Sequence, residues 1–160
     1  MIEKKIEDVN VKIGKFANIS KSKPLQFQHH LHKTVFKKNQ LPSYFIFYPT
    51  SRCNLMCSHC FYHDSLNKKM NELTLDEIDT FTRSMDPLLS LVLTGGEPYL
   101  RHDLDQIVRI FYENTKTPMV TIPSNGWYLE KMSKQIRNMM KWCPELVLNQ
   151  LISIDGLKED

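Results

Sequence analysis

From residue 43 onward, short apolar runs alternate with segments of helical periodicity, and this alternation limits the chain more than any other feature. Ser43–Pro49 (SYFIFYP) is aromatic and branched and reads as a buried strand. Leu88–Thr94, Met119–Ile122 and Leu146–Ile154 are three further short apolar runs. Between them lie three amphipathic segments. The first opens on Thr74 with Glu77 three residues on, a capping box, carries Leu75, Ile78, Phe81 or Thr82, and Met85 inward, and stops before Pro87. The second runs from about Asp103 to Lys116 on Leu104, Ile107, Val108 and Phe111, and the third from about Leu129 to Lys141 on Leu129, Met132, Ile136 and Met139 or Met140. Strands separated by single helices imply right-handed βαβ units and a parallel sheet, either doubly wound or barrel-like. The expected fold is α/β, with about four parallel strands and three helices behind a polar N-terminal leader.

In parallel α/β folds the working groups collect beyond the C-terminal ends of the strands. In this chain each strand is followed by an unusual sequence: Cys53, Cys57 and Cys60 after the first, Gly95-Gly96-Glu97-Pro98 after the second, Ser124-Asn125-Gly126 after the third and Ser153-Ile154-Asp155-Gly156 after the fourth. All four should share one rim. Three thiolates spaced x3 and x2 on one loop can each hold one iron of a cubane cluster, leaving a fourth iron open. The same loop also admits a structural zinc, with His59 or His63 completing a Cys3His set. Cys143, in the sequence Trp-Cys-Pro, falls at the opposite strand end and reads as a buried structural thiol. Asn125-Gly126 and Asp155-Gly156 also read as plain turns.

Taken together, the cysteine spacing, the GGEP sequence, Ser124-Asn125-Gly126 and Ser153-Ile154-Asp155-Gly156 resemble, in order, the motifs of the radical S-adenosylmethionine superfamily. The resemblance covers about residues 43–156. It implies a partial (β/α) TIM barrel, a [4Fe–4S] cluster on Cys53, Cys57 and Cys60, and S-adenosylmethionine bound through its amino and carboxylate groups to the open iron. It further implies that Gly95, Gly96 and Glu97 meet the methionine ammonium, the glycines by letting backbone approach the ligand, while Glu97 acts as a nearby carboxylate or pairs with a basic side chain. Ser124 and Asn125 would reach the carboxylate or ribose, and Ser153 and Asp155 the ribose hydroxyls. The position before the last cysteine is usually aromatic in the family and packs near adenine; here it is His59. The implied reaction is reductive cleavage of the sulfonium to methionine and a 5′-deoxyadenosyl radical, which abstracts a substrate hydrogen. Implied partners are a low-potential electron donor such as flavodoxin or ferredoxin and an unknown substrate, with peptides and cofactor precursors in keeping with the general style, including the SPASM-type branch.

The family core has six βα units, whereas this sequence offers four strands and stops where a fourth helix should begin. Residues 41–160 are therefore expected to be a truncated core, and a second chain supplying the rest of the barrel is one way to complete it. Missing strands should expose Leu146, Leu148, Ile152 and Ile154 or their partners. Two other readings stand beside an active radical enzyme: a zinc-binding Cys3His interaction module and a catalytically inactive remnant.

Composition sets the outer bounds. Residues 1–40 hold nine Lys against three acidic residues, and residues 41–160 hold twelve basic against fifteen acidic, which gives the net +3. The basic leader lacks Arg clusters and interleaved aromatics, so nucleic acid is not the expected partner. His29, His30 and His32 in that leader read as surface histidines. No apolar run approaches the roughly 18 residues of a membrane helix, no signal-peptide stretch opens the chain, and a cytoplasmic location is expected. Three of the four cysteines fall within eight residues, a pattern that in a reducing compartment suggests metal binding.

Overall fold

The computed structural model describes residues 44–154. The 1–40 leader with its three histidines, and Asp155, lie outside the described residues. The described chain runs β1 (Tyr44–Thr50), α1 (Leu75–Arg83), β2 (Ser90–Gly95), α2 (Leu104–Thr115), β3 (Met119–Ser124), α3 (Leu129–Trp142) and β4 (Val147–Ile152). One-turn 3-10 segments lie at His63–Ser65 and Pro98–Leu100.

All neighbouring strands are parallel and their order in the sheet is β1-β2-β3-β4, the order of the chain. A doubly wound sheet reverses direction at a switch point. With no reversal, right-handed crossovers place every helix on one face, as in a barrel wall. This decides between the two architectures that the sequence left open. α1 packs on α2 and α2 on α3 along that outer layer.

The core lies between helices and sheet. Alternate residues of β1 point the same way, so Phe45 and Phe47 both face the helices. They meet Phe81 of α1 and Phe111 of α2, with cross-element ring centroids 5.7 to 6.2 Å apart. Leu91, Leu93, Val120 and Ile122 continue this layer, all fully buried against Ile78, Leu104, Ile107, Val108 and Met139. The opposite face of β1, Tyr44, Ile46 and Tyr48, is exposed.

The helices begin and end for local reasons. Thr74 and Glu77 form the expected capping box: the Glu77 N–H donates to Thr74 Oγ1 and the Thr74 N–H to Glu77 Oε2 at 2.8 Å. α2 ends on Lys116 in the left-handed region, with φ 53°. Several strand boundaries differ from the sequence reading, three of them for reasons visible in the hydrogen bonding. β2 begins at Ser90, because the Leu88 N–H is turned to the Thr115 carbonyl instead of a strand partner. β3 runs on through Pro123 to Ser124, where it still pairs with β4. β4 begins at Val147, after a turn in which the Leu146 N–H bonds Cys143 O.

Two burial expectations are also corrected. Leu129, expected inward, is 42% exposed, because the first turn of α3 overhangs the sheet and its buried face starts at Met132. Leu146 and Leu148, expected to be exposed, are covered: Leu146 is buried, and Leu148 packs on the core from the helix side. Ile152 and Ile154 are exposed as expected, together with Leu151, at the end of β4, which among the described residues pairs only with β3. No described helix is long and apolar enough to cross a membrane.

Candidate functional site

The loops after β1, β2 and β3 meet at the C-terminal ends of the strands, and Ser153, after β4, joins them through its backbone. The chain leaves β1 at Thr50 and re-enters regular structure only at Leu75, and the three cysteines lie in the first half of this excursion. Cys53, Cys57 and Cys60 are all free thiols and half-buried. Backbone bonds shape the turn: the Cys60 N–H donates to Cys57 O and the His63 N–H to Cys60 O, both at 3.1 Å. His63 Nδ1 also lies 3.2 Å from Cys57 O and donates when it carries the proton.

The first cysteine is held from both sides by one amide. The Cys53 N–H donates to Asn67 Oδ1 at 2.9 Å, and Asn67 Nδ2 donates to Cys53 O at 3.1 Å. Asn67 has φ 57°, a left-handed conformation that Asn tolerates better than most residues. Cys53 Sγ accepts from the Leu55 N–H at 3.4 Å, and Asn125 Nδ2 lies 4.0 Å from it. Burial pushes the Cys53 thiol up, the Leu55 N–H pulls it back, and the negative charges of Glu97, Cys57 and Cys60 push it up further. Bound metal reverses that balance and deprotonates a coordinating thiol.

The glycines have a structural job beside the one the resemblance implied. A Cβ on Gly96 would stand 2.1 Å from Arg52 O and 2.9 Å from Ser51 O, and one on Gly95 would stand 2.4 Å from Thr50 O. The bare backbone is needed for approach to the start of the cysteine loop. The Gly96 N–H donates to Thr50 O at 3.0 Å and the Glu97 N–H to Arg52 O at 2.8 Å. Those amides are committed to seating the loop. Gly95, at φ 120°, also occupies a conformation that side chains rarely adopt.

Glu97 is buried, at 2% exposure, and its carboxylate joins three segments. Oε1 accepts from the Tyr99 N–H at 3.1 Å and from Ser124 Oγ at 2.9 Å, and Oε2 accepts from the Asn125 N–H at 2.8 Å. Its partners are uncharged donors of the protein, where the sequence suggested an approach to a cation or a basic side chain. Ser124 is likewise turned inward, its Oγ also accepting from the Gly126 N–H at 3.0 Å. Asn125 faces the cysteine loop, with Nδ2 donating to Asn54 Oδ1 at 3.0 Å and Oδ1 accepting from the Trp127 N–H. Ser153 is exposed and bonds Ser124 O through its N–H at 2.9 Å. His59 is exposed on the cysteine turn. Cys53, Glu97, Ser124 and Asn125 therefore form one connected group, with Ser153 joined through backbone.

The donor set suits a cluster. Among the described residues no three His, Cys, Asp or Glu side chains gather where they could hold one ion. A cubane makes no such demand, since each thiolate takes a separate iron. Cys143 is fully buried at the far end of the strands, its N–H on Met139 O, so the rim offers three thiols and a fourth iron would be left without one.

Several structural residues escaped the sequence reading: Asn67, Glu72, Arg101, Asp103 and Tyr99. Glu72 accepts Arg52 Nε at 2.8 Å and Nη2 at 3.0 Å and also takes the Thr50 hydroxyl. The Tyr99 hydroxyl donates to Gln150 Oε1, joining the GGEP turn to β4. Arg101 and Asp103 had one signal in the sequence, a charge pair two apart between an apolar turn and an amphipathic helix. Asn67 had none beyond a residue type that tolerates left-handed backbone.

The model of the radical SAM superfamily matches residues 47–150, more than half of the chain, and the chain belongs to that superfamily. That superfamily works with a [4Fe–4S] cluster and S-adenosylmethionine. Among curated proteins it is similar to GTP 3′,8-cyclase of Helicobacter pylori (strain ATCC 700392 / 26695), with 32% identity over 116 residues, 69% of this chain and 34% of that protein. GTP 3′,8-cyclase of Aliarcobacter butzleri (strain RM4018) is 31% identical over 93 residues, 56% of this chain and 29% of that one. The chain thus spans about a third of the length of the curated relatives it matches. Of solved structures, Streptococcus suis SuiB bound to S-adenosylmethionine superposes with a TM-score of 0.53 at 22% identity, covering 95% of this chain and 35% of SuiB, which shows a shared fold.

Proposed function

We propose that this chain is the cofactor-binding part of a radical S-adenosylmethionine enzyme, with Cys53, Cys57 and Cys60 as the ligands of its [4Fe–4S] cluster. The observation that carries the reading is the rim itself. Three half-buried thiols stand on a loop that the GGEP turn seats by two backbone bonds, and Asn125 reaches the first cysteine from the next strand. When bound, the cluster and S-adenosylmethionine supply reductive cleavage of the sulfonium and a 5′-deoxyadenosyl radical that takes a substrate hydrogen.

The protein's own share is placement. Gly95 and Gly96 admit the loop backbone at a distance no side chain allows. Glu97 and Ser124 bind the GGEP turn to the Ser124-Asn125-Gly126 turn, so the two walls of the site move as one. Contacts to S-adenosylmethionine then fall to the backbone carbonyls of residues 95–97, to Asn125, Ser153 and His59 and, by the resemblance alone, to Asp155. The stretch matched by the superfamily model, residues 47–150, contains the loops after β1, β2 and β3, so the match supports the cofactor chemistry more than any one hydrogen donor. The full reaction calls for a low-potential electron donor such as flavodoxin or ferredoxin and for the strands that complete the barrel, in the same chain or a second one.

Anaerobic reconstitution with iron and sulfide tests the assignment and should give about four irons and four sulfides per chain. Stoichiometric zinc with no sulfide would overturn it in favour of a zinc module. Added S-adenosylmethionine should change the electron paramagnetic resonance spectrum of the reduced cluster, and an unchanged spectrum would remove the cofactor seat from this chain.

A further inference from the structure

The excursion between β1 and α1 is long for a segment that must present three sulfurs in fixed positions, and ordering such a loop costs entropy. Its two ends are gripped by one side chain. Arg101 is buried, at 4% exposure. Its Nη1 donates to Pro49 O, one residue before the end of β1, at 3.0 Å, and its Nη2 to Leu73 O, just before the Thr74 N-cap of α1, at 2.8 Å. Nε and Nη2 also fork onto Asp103 at 2.8 and 2.9 Å.

Asp103 stands at the N-cap of α2, where a carboxylate ordinarily accepts from the first helical amides. It makes no such side-chain bond. Its oxygens are committed to Arg101, which fixes the guanidinium plane and leaves the outer donors aimed at the two carbonyls. The backbone beneath is fixed in turn: Gln135 Nε2 of α3 donates to Arg101 O at 2.9 Å and His102 O at 3.0 Å, and Lys131 Nζ to Leu100 O at 2.9 Å. A buried ion pair is a poor source of stability unless its remaining donors are satisfied. Here those donors are spent on the loop.

We propose that Arg101, oriented by Asp103, is a positioning residue that holds the cysteine loop in its ligand-bearing shape before any cluster is present, with Asn67 seating Cys53 within it. This rests on the reading that the loop carries the cluster. Arg101→Lys keeps a charge beside Asp103 and loses the fork. Asn67→Gly keeps the left-handed backbone and loses the grip on Cys53.

The test is hydrogen exchange on the apo form of the full 160-residue chain, followed by iron release to a chelator after reconstitution. Arg101→Lys should speed exchange across residues 50–73 by about tenfold or more while α2 and β2 keep their protection. The amides of Cys53 and Asn67 are the telling ones, since neither touches Arg101. Asn67→Gly should release iron about tenfold faster than the parent chain with no loss of core protection, and it carries the test if Arg101→Lys does not fold. Loop exchange unchanged in both variants overturns the proposal. Core and loop loosening together in both variants also overturns it, by making these residues general supports of the fold. A parent chain that takes up no iron, while Arg101→Lys still loosens only the loop, would sink the cluster assignment and leave the positioning role standing.

Discussion

Cys143 and Cys53 are the same residue type at opposite ends of one sheet. Cys143 lies where α3 turns into β4, fully buried beside Trp142 and the apolar core, and burial, helped by Glu113 and opposed by Arg109, pushes its thiol up to about 11. Cys53 lies at the other strand ends, half-buried, with an N–H on its sulfur, an amide on each side of its backbone and two more thiols nearby. One end is closed by dispersion and apolar burial. The other is closed by directional bonds that leave sulfur accessible. A parallel fold can build a dry, inert end and a wet, reactive one from the same strands because helix layers cover the sides and only loops cover the ends.

The largest expected effect breaks the comparison outright if it fails. Replacing Cys53, Cys57 or Cys60 by Ala should each abolish iron and sulfide incorporation, and Cys143→Ala should leave both near the parent value. Equal loss on Cys143→Ala would mean that the buried thiol belongs to the ligand set. Gly96→Ala comes next. Its Cβ would meet Arg52 O at 2.1 Å, a backbone atom that cannot swing aside. A destabilisation of about 2–4 kcal/mol is expected, measured by the denaturant midpoint. A cost below about 0.5 kcal/mol would show that the loop is not seated on the turn in solution.

The third outcome probes the dry end by pH. The folded Cys143 thiol holds its proton more tightly than the ordinary value of 9.0. Its contribution is therefore fully present below about pH 9 and is lost as pH rises towards about 11. Across that window the parent should lose about 2–3 kcal/mol more stability than Cys143→Ala. Parallel pH profiles for the two proteins would show the thiol to be solvated. The smallest effect concerns the wet end. Glu97→Gln keeps the shape but puts an amide donor where a carboxylate oxygen now accepts. One of the Asn125, Ser124 or Tyr99 donors then loses its acceptor, at about 1–2 kcal/mol by thermal or denaturant unfolding. No change would place the carboxylate outside the network described.

Much of this was legible in the amino-acid sequence. Capping chemistry at Thr74 and Glu77, the 3.6-residue stripes of the three helices and the β-rich runs determine which segments are helix and which are strand, because those signals act within a few residues. The cysteine spacing marks the proposed cluster loop for the same reason: three thiols on one short segment are a local pattern. Tertiary structure decided the rest. Strand order, and with it the choice of a barrel wall over a doubly wound sheet, depends on pairing between segments about 28 to 46 residues apart, far beyond the reach of local signals. The inward turn of Glu97 and Ser124, the exposure of Leu129 and the cover over Leu146 and Leu148 depend on what packs opposite each side chain. Gly95 and Gly96 could be recognised as positions needing bare backbone, but only the folded chain shows that the crowding atoms belong to Thr50, Ser51 and Arg52. The grip of Arg101 on Pro49 and Leu73 was invisible in sequence because it joins two backbone carbonyls, groups that every residue carries and no residue type announces.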